Sequence, residues 1–244
     1  MGGSLFYNLG RKVGPKVRKA KWVWTSVTGT EAETIALEHD VGLDLAEEAR
    51  LQLEPDRDAE VVGLLGRIGR RLIDRVANKS RSFHFEAFLA QEPNAFALPG
   101  GYIFISRPLV ELCQRDPDEM AFILAHEMSH VIKGHAIERI VTNSAVSMAS
   151  RAAPVRGVFG PWLKRVGVQF LETAYSRDHE LEADRLGVRL GRAAGYDPQA
   201  AVRLLARLAE LKAAPDPLNL GEYFSTHPTF DLRIRSIRQF LRKP

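Results

Sequence analysis

A single cysteine, Cys113, in 244 residues excludes an internal disulfide and a thiolate zinc cluster, and it suits a reducing compartment. No apolar run approaches the roughly 18 residues that a membrane span requires. The N-terminal stretch has neither the apolar segment nor the small-residue cleavage site of a secretory signal. Met1-Gly2-Gly3 is followed at the sixth position by Phe6, where N-myristoylation favours Ser or Thr. Acidic residues are missing before Glu31, whereas Arg11, Lys12, Lys16, Arg18, Lys19 and Lys21 all fall there. Setting those six apart from the 34 basic residues leaves 28 against 30 acidic ones, so the net charge of +4 is local to the N-terminus. A near-neutral remainder carries no basic face for nucleic acid. These absences predict a cytoplasmic protein with no transmembrane helix, either soluble or peripheral to a membrane.

What is present is 45% apolar, enough for one sizeable domain. Two units are expected: a basic arm over residues 1–30 and a domain over 31–244. The arm mixes Leu5, Phe6, Leu9, Val13, Val17, Trp22 and Trp24 with its six cations, and would either lie on an anionic membrane surface or pack on the domain or a partner. Gly10, Gly14 and Pro15 interrupt the amphipathic pattern and favour packing.

Thr30 with Glu31 and Glu33 predicts a capped helix to about Glu54, and Pro55 the start of another to about Asn78. Phe83–Phe88 alternates with period two as a strand does. Asn94–Leu98, Pro99-Gly100-Gly101 and Tyr102–Ile105 predict a hairpin. Its edge could take an extended peptide by strand addition, with Asn94, Ala95, Phe96, Ala97, Gly100 and Gly101 as the substrate-side residues; an ordinary structural hairpin is the alternative. Ser106 and Pro108 open a short helix. Asp116-Pro117-Asp118-Glu119 then supplies an N-cap, a first-position proline and an acidic first turn for a helix to about Val141. Residues 142–162, rich in Ser, Ala, Gly and Pro, suggest a linker or flap. Further helices are expected over Trp162–Arg192, from Asp197-Pro198 to about Lys212, and to Leu241. The fold class expected is α+β, predominantly helical, with a small antiparallel sheet beside a central helix.

That central helix carries His126-Glu127-Met128-Ser129-His130. Residues four apart share a face, so His126 and His130 can bind one metal ion while Glu127 stands beside its water. Core histidines satisfied by hydrogen bonds are the alternative, but buried imidazoles and a carboxylate are costly unless something satisfies them. His135 follows His130 by five residues, which on a continuous helix points about 140° away, and is read as non-ligating. A catalytic zinc needs a third protein ligand and an open position. Asp178, His179, Glu180, Glu182 and Asp184 crowd one later helix. Glu180 and Asp184 share a face, so Glu180 is assigned to the metal. Asp184 is assigned to the carboxylate that accepts the second ring N–H of a ligating histidine.

His126-Glu127-Met128-Ser129-His130, followed by Arg177-x-x-Glu180-x-x-Ala183-Asp184, resembles the gluzincin peptidases of metallopeptidase family M48. The hairpin sequence from Asn94 to Ile105 is similar to that family's substrate-side strand, and Ser225-Thr226-His227-Pro228 with Arg233 to its C-terminal signature. The order of segments is that of the soluble, HtpX- and BepA-like quality-control branch. The resemblance implies a zincin-like domain, one Zn²⁺ per chain and endopeptidase activity on polypeptides, misfolded ones among them. It supports Glu180 as third ligand and Glu127 as general base, and it places His227 near the metal as an oxyanion donor or a reversible blocking ligand. From the residues alone, His227 ahead of a proline could equally cap a helix. His227 or Arg233 would steady the developing oxyanion. A zinc-containing chaperone or autoinhibited binding protein is the rival function.

Overall fold

The computed structural model describes residues 30–139, 175–213, 227 and 229–242. The basic arm, the 142–162 segment and the residues flanking His227 lie outside the described residues.

Helix α1 (Glu31–Gln52) begins as its sequence predicts. The Thr30 hydroxyl accepts from Glu33 N–H, and the Glu33 carboxylate accepts from Thr30 N–H, a reciprocal capping box. Strand β1 (Glu54–Pro55) follows, then α2 (Ala59–Ile73). Pro55 therefore does not start a helix. It sits on an edge strand opposite Phe88, where its missing N–H costs nothing, and Asp58 caps α2 instead by accepting from Glu60 and Val61.

Strands β2 (His84–Leu89), β3 (Ala95–Leu98) and β4 (Tyr102–Ser106) complete a four-stranded sheet in the order β1-β2-β4-β3. The β3–β4 hairpin is antiparallel as expected, with Ala97 opposite Ile103. The sheet as a whole is mixed rather than antiparallel, because β2 and β4 pair in parallel. The chain leaves β2, runs out to the far edge as β3 and returns between them. Alternating hydrophobicity marks which side chains face inward but not which way the neighbouring strand runs.

That alternation splits the sheet's two faces. Phe88, Phe96, Leu98, Tyr102 and Phe104 pack against Val41, Leu45, Ala46 and Ala49 of α1. Ala87, Ala95, Ala97, Ile103 and Ile105 join the larger core built by α2 and the central helix. Gly42 lets α1 touch the hairpin turn: a methyl group built there would fall 1.9 Å from the Pro99 carbonyl oxygen.

After the short α3 (Arg107–Leu112) comes the central helix α4 (Pro117–Ile132), capped by Asp116, whose side chain accepts from Asp118 and Glu119 N–H. Every residue from Glu119 to Val131 is buried, as an all-round apolar helix requires. It stops at Ile132 rather than near Val141, because Gly134 adopts a left-handed conformation (φ 76°) and turns the chain before residues 135–139 resume helical form. Helix α5 (Arg177–Ala193) starts at its own N-cap, Ser176, whose backbone is extended and whose hydroxyl accepts from His179 N–H; residues 162–174 of the helix expected from Trp162 lie outside the described residues. Helices α6 (Ala200–Ala213) and α7 (Phe230–Leu241) close the domain. None of the helices among the described residues is long and apolar enough to cross a membrane.

Candidate metal centre

Helix α5 crosses α4 at close range. Gly187 makes this possible, since a Cβ there would stand 3.1 Å from the His126 backbone nitrogen. The buried face of α5 then delivers Glu180 and Asp184, one turn apart, to the face of α4 that bears His126 and His130. His227, just ahead of α7, joins them. His126, His130, Glu180 and His227 each offer one ligand atom, all within 4.8 Å of one another, and all four residues are buried.

The pairwise distances are 3.1 Å from His126 Nε2 to His130 Nε2 and 3.3 Å from His126 Nε2 to His227 Nδ1. Glu180 Oε1 lies 3.3 Å from His130 Nε2 and 2.9 Å from His227 Nδ1. A tetrahedral zinc site with bonds near 2.0–2.1 Å has donor–donor edges of about 3.3 Å. The protonation pattern agrees with a cation. His126 Nδ1 faces Asp184 Oδ1 at 3.0 Å and so carries the proton, leaving its Nε2 lone pair aimed at the other donors. Converging lone pairs repel unless a positive ion lies among them, so these residues fit Zn²⁺.

Charge behind the ligands is balanced by Arg233, which is fully buried. Its Nε and Nη2 donate to the two oxygens of Asp184 at 2.9 and 2.7 Å, and its Nη1 lies 2.9 Å from Glu180 Oε2. Burial acts to raise both carboxyls. For Glu180 the His227 ring, the Arg233 guanidinium and the His126 ring outweigh it and hold the carboxyl well below the usual range; for Asp184, Arg233 and the contact with His126 lower it. Burial pushes His130 well below its ordinary value, which keeps the ring neutral.

Glu127 is fully buried, and neither of its carboxylate oxygens has a hydrogen-bond partner among the described residues. His227 Nε2 lies 3.4 Å from Glu127 Oε1. The hairpin residues lie on the sheet. The Ala97 carbonyl on edge strand β3 accepts from Arg139 Nη2 at 3.2 Å. Phe96 belongs to the core against α1. Gly100 and Gly101 press on α1 and on Ser82 at the opposite end of the strand from Asn94. Asn94 N–H donates to Ser106 Oγ at 2.7 Å.

Two residues at the centre escaped the sequence reading. Tyr175 stacks on His130 with ring centroids 3.7 Å apart, and Arg139 lies 4.3 Å over the Tyr175 ring. His135, expected to point away, has its Nδ1 3.1 Å from His130 Nδ1. The signal that could have found it was Gly134, a residue suited to ending the helix just before it.

The chain is similar to known metallopeptidases. The chain is 32% identical over 182 residues to the mitochondrial metalloendopeptidase OMA1 of Schizosaccharomyces pombe, covering 72% of this chain and 52% of that protein. It is 29% identical over 187 residues to the beta-barrel assembly-enhancing protease of Yersinia pestis, covering 70% of this chain and 37% of that one. The chain thus spans about half or less of the length of these curated relatives. Among solved structures, Ste24p of S. mikatae aligns over 94% of this chain and 63% of its own, with 18% identity and a TM-score of 0.44. The family model for Peptidase family M48 matches residues 62–241, which takes in α4, α5, His227 and α7, and the chain belongs to that family.

Proposed function

We propose that the chain is a zinc-dependent endopeptidase acting on polypeptides, with His126, His130 and Glu180 as the metal ligands and Glu127 as general base. The observation that carries this is the buried Glu127 carboxylate, without a hydrogen-bond partner among the described residues, beside four converging donors. Zinc, when bound, supplies Lewis-acid chemistry, bringing the pKa of water near 7 and polarising a carbonyl. Glu127 takes a proton from the attacking water and passes it to the leaving amine. Asp184 holds the His126 tautomer through Nδ1, and Arg233 neutralises Asp184 and Glu180 from behind. The outer edge of β3 aligns an extended substrate, for which Arg139 yields the Ala97 carbonyl. Arg233 is committed to the two carboxylates, so His227 is the better placed of the two to meet an oxyanion.

His227 also supports a resting state that is shut. It completes a four-donor set, the arrangement of a closed site, and occupies the position that water or substrate needs. Cleavage then requires His227 to swing aside. The same observation favours the second reading, a zinc-containing holdase that binds unfolded segments without cutting. Residues 31–244 form the catalytic unit, in the cytoplasm, and residues 1–30 a basic arm, whose contact with a membrane surface liposome flotation with and without the arm tests. Misfolded proteins are the substrates we favour, since relatives carry the names of an endopeptidase and of a protease that enhances β-barrel assembly.

Casein digestion with one equivalent of zinc separates the readings. Glu127→Gln should retain zinc and lose at least about 10²-fold in cleavage rate, and His227→Ala separates its two roles: faster cleavage than wild type marks a blocking ligand, slower cleavage an oxyanion donor. Undiminished cleavage by Glu127→Gln sinks the assigned base. No cleavage by either wild type or His227→Ala favours the holdase.

A further inference from the structure

We propose that His135 is the positioning residue of His130, the middle member of a hydrogen-bond relay that runs from the metal ligand to Glu182 at the surface. The inference rests on the metal reading above and adds a residue to it.

The chain path creates the contact. On an uninterrupted helix His135 would project about 140° from His130. Lys133 ends α4, with its N–H pointing back to the Ser129 and Val131 carbonyls, and the left-handed Gly134 reverses the direction of the next residue. The following turn is pinned by Glu138 N–H to the Gly134 carbonyl at 3.0 Å. His135 is thereby folded inward to 3% exposure, with its Nδ1 3.1 Å from His130 Nδ1.

The geometry fixes who donates. His130 Nε2 faces His126 Nε2 and Glu180 Oε1, so its lone pair must point to the metal and its proton must sit on Nδ1. Among the described residues that Nδ1–H has one neighbour to donate to, His135 Nδ1, which must therefore be bare. The His135 proton is left on Nε2, which lies 3.3 Å from Glu182 Oε2. The other oxygen of Glu182 is held by Lys133 Nζ at 2.6 Å. Each ligating imidazole of α4 thus has its rear nitrogen occupied by a group traceable to α5. For His126 that group is Asp184 itself; for His130 it is Glu182, acting through an intervening ring. Such rear partners orient the ligand and typically contribute 10–100-fold in metal affinity. Packing against His179, whose ring stacks on His135 at 4.0 Å, would need only a flat side chain and no particular tautomer.

Zinc affinity, read by competition with a fluorescent chelator on the full chain, distinguishes the two roles. Asn and Leu have the same number of side-chain heavy atoms branched at the same position, and the Asn side-chain oxygen falls close to where His135 Nδ1 was. His135→Leu should lose about 10–100-fold in zinc affinity, while His135→Asn, still an acceptor, should stay close to wild type. Equal affinities for the two variants overturn the proposal. Should His135→Leu not fold, ¹⁵N spectra of the imidazoles in zinc-loaded wild type decide: a proton on His135 Nε2 supports the relay, and a proton on its Nδ1 overturns it. Failure of wild type to take up zinc at all would instead remove the metal reading beneath it.

Discussion

Arg233→Leu is the substitution whose cost the structure states most directly. Arg233 is enclosed and holds two buried carboxylates, Asp184 through two donors at 2.9 and 2.7 Å and Glu180 through a third group at 2.9 Å. Leucine fills part of the space but leaves both negative charges facing each other without their common cation. Removing one partner from a buried ion pair costs about 3–5 kcal/mol, most of it the penalty of the orphaned charge. For a domain of this size each kcal/mol lowers the melting temperature by roughly 2–4 °C, so a fall of about 6–20 °C is expected. Calorimetry should be run on metal-free protein in chelator. Added zinc should narrow the gap, because a second cation then neutralises Glu180. Arg233→Lys keeps the charge but not the fork that spans both carboxylates, and should recover only part of the loss. A melting temperature for Arg233→Leu equal to that of wild type would refute the counter-ion reasoning.

Asp56 provides a pH test away from the centre. Arg107 donates to both of its oxygens at 2.5 Å, and those hydrogen bonds hold the carboxyl below its ordinary value despite partial burial. A depressed folded pKa adds stability that is complete above the unfolded value of about 4 and is lost as pH falls through the folded one. The urea midpoints of wild type and Asp56→Asn should therefore differ at pH 7 and converge in acid; a gap that widens in acid contradicts the sign. Gly42→Ala should lower the urea midpoint, by about 1–3 kcal/mol of stability, because its methyl group meets the rigid Pro99 carbonyl at 1.9 Å. Stabilisation, as helix propensity alone would give, would show that the turn yields freely.

Much of the centre was legible because its chemistry is local in sequence. The histidines of α4 and the carboxylates of α5 are each four apart, and a helix converts that spacing into a shared face without knowledge of the rest of the chain. The caps at Thr30 and Asp116 were legible for the same reason. What was not legible depended on where the chain turns. Extending α4 through Gly134 sent His135 to the wrong side. Placing Pro55 in a helix overlooked that Asp58, three residues on, is the better cap. Strand direction was hidden because alternation in β2 and β4 is identical for parallel and antiparallel neighbours. Arg233 looked like a group for the reacting oxygen, and only the three-dimensional arrangement reveals that two acids already surround its guanidinium.

Helix α1 lies wholly before residue 62, where the family match begins, yet it shields Phe88, Phe96, Leu98, Tyr102 and Phe104 from water. A chain trimmed to the matched region would bare a wall of aromatic and aliphatic side chains along the very sheet whose rim we propose for substrate. It would tend to stick to itself, and clumping of such a fragment would mimic client capture. The catalytic machinery and its roof are therefore inseparable in practice, even though only the machinery carries the recognisable signature.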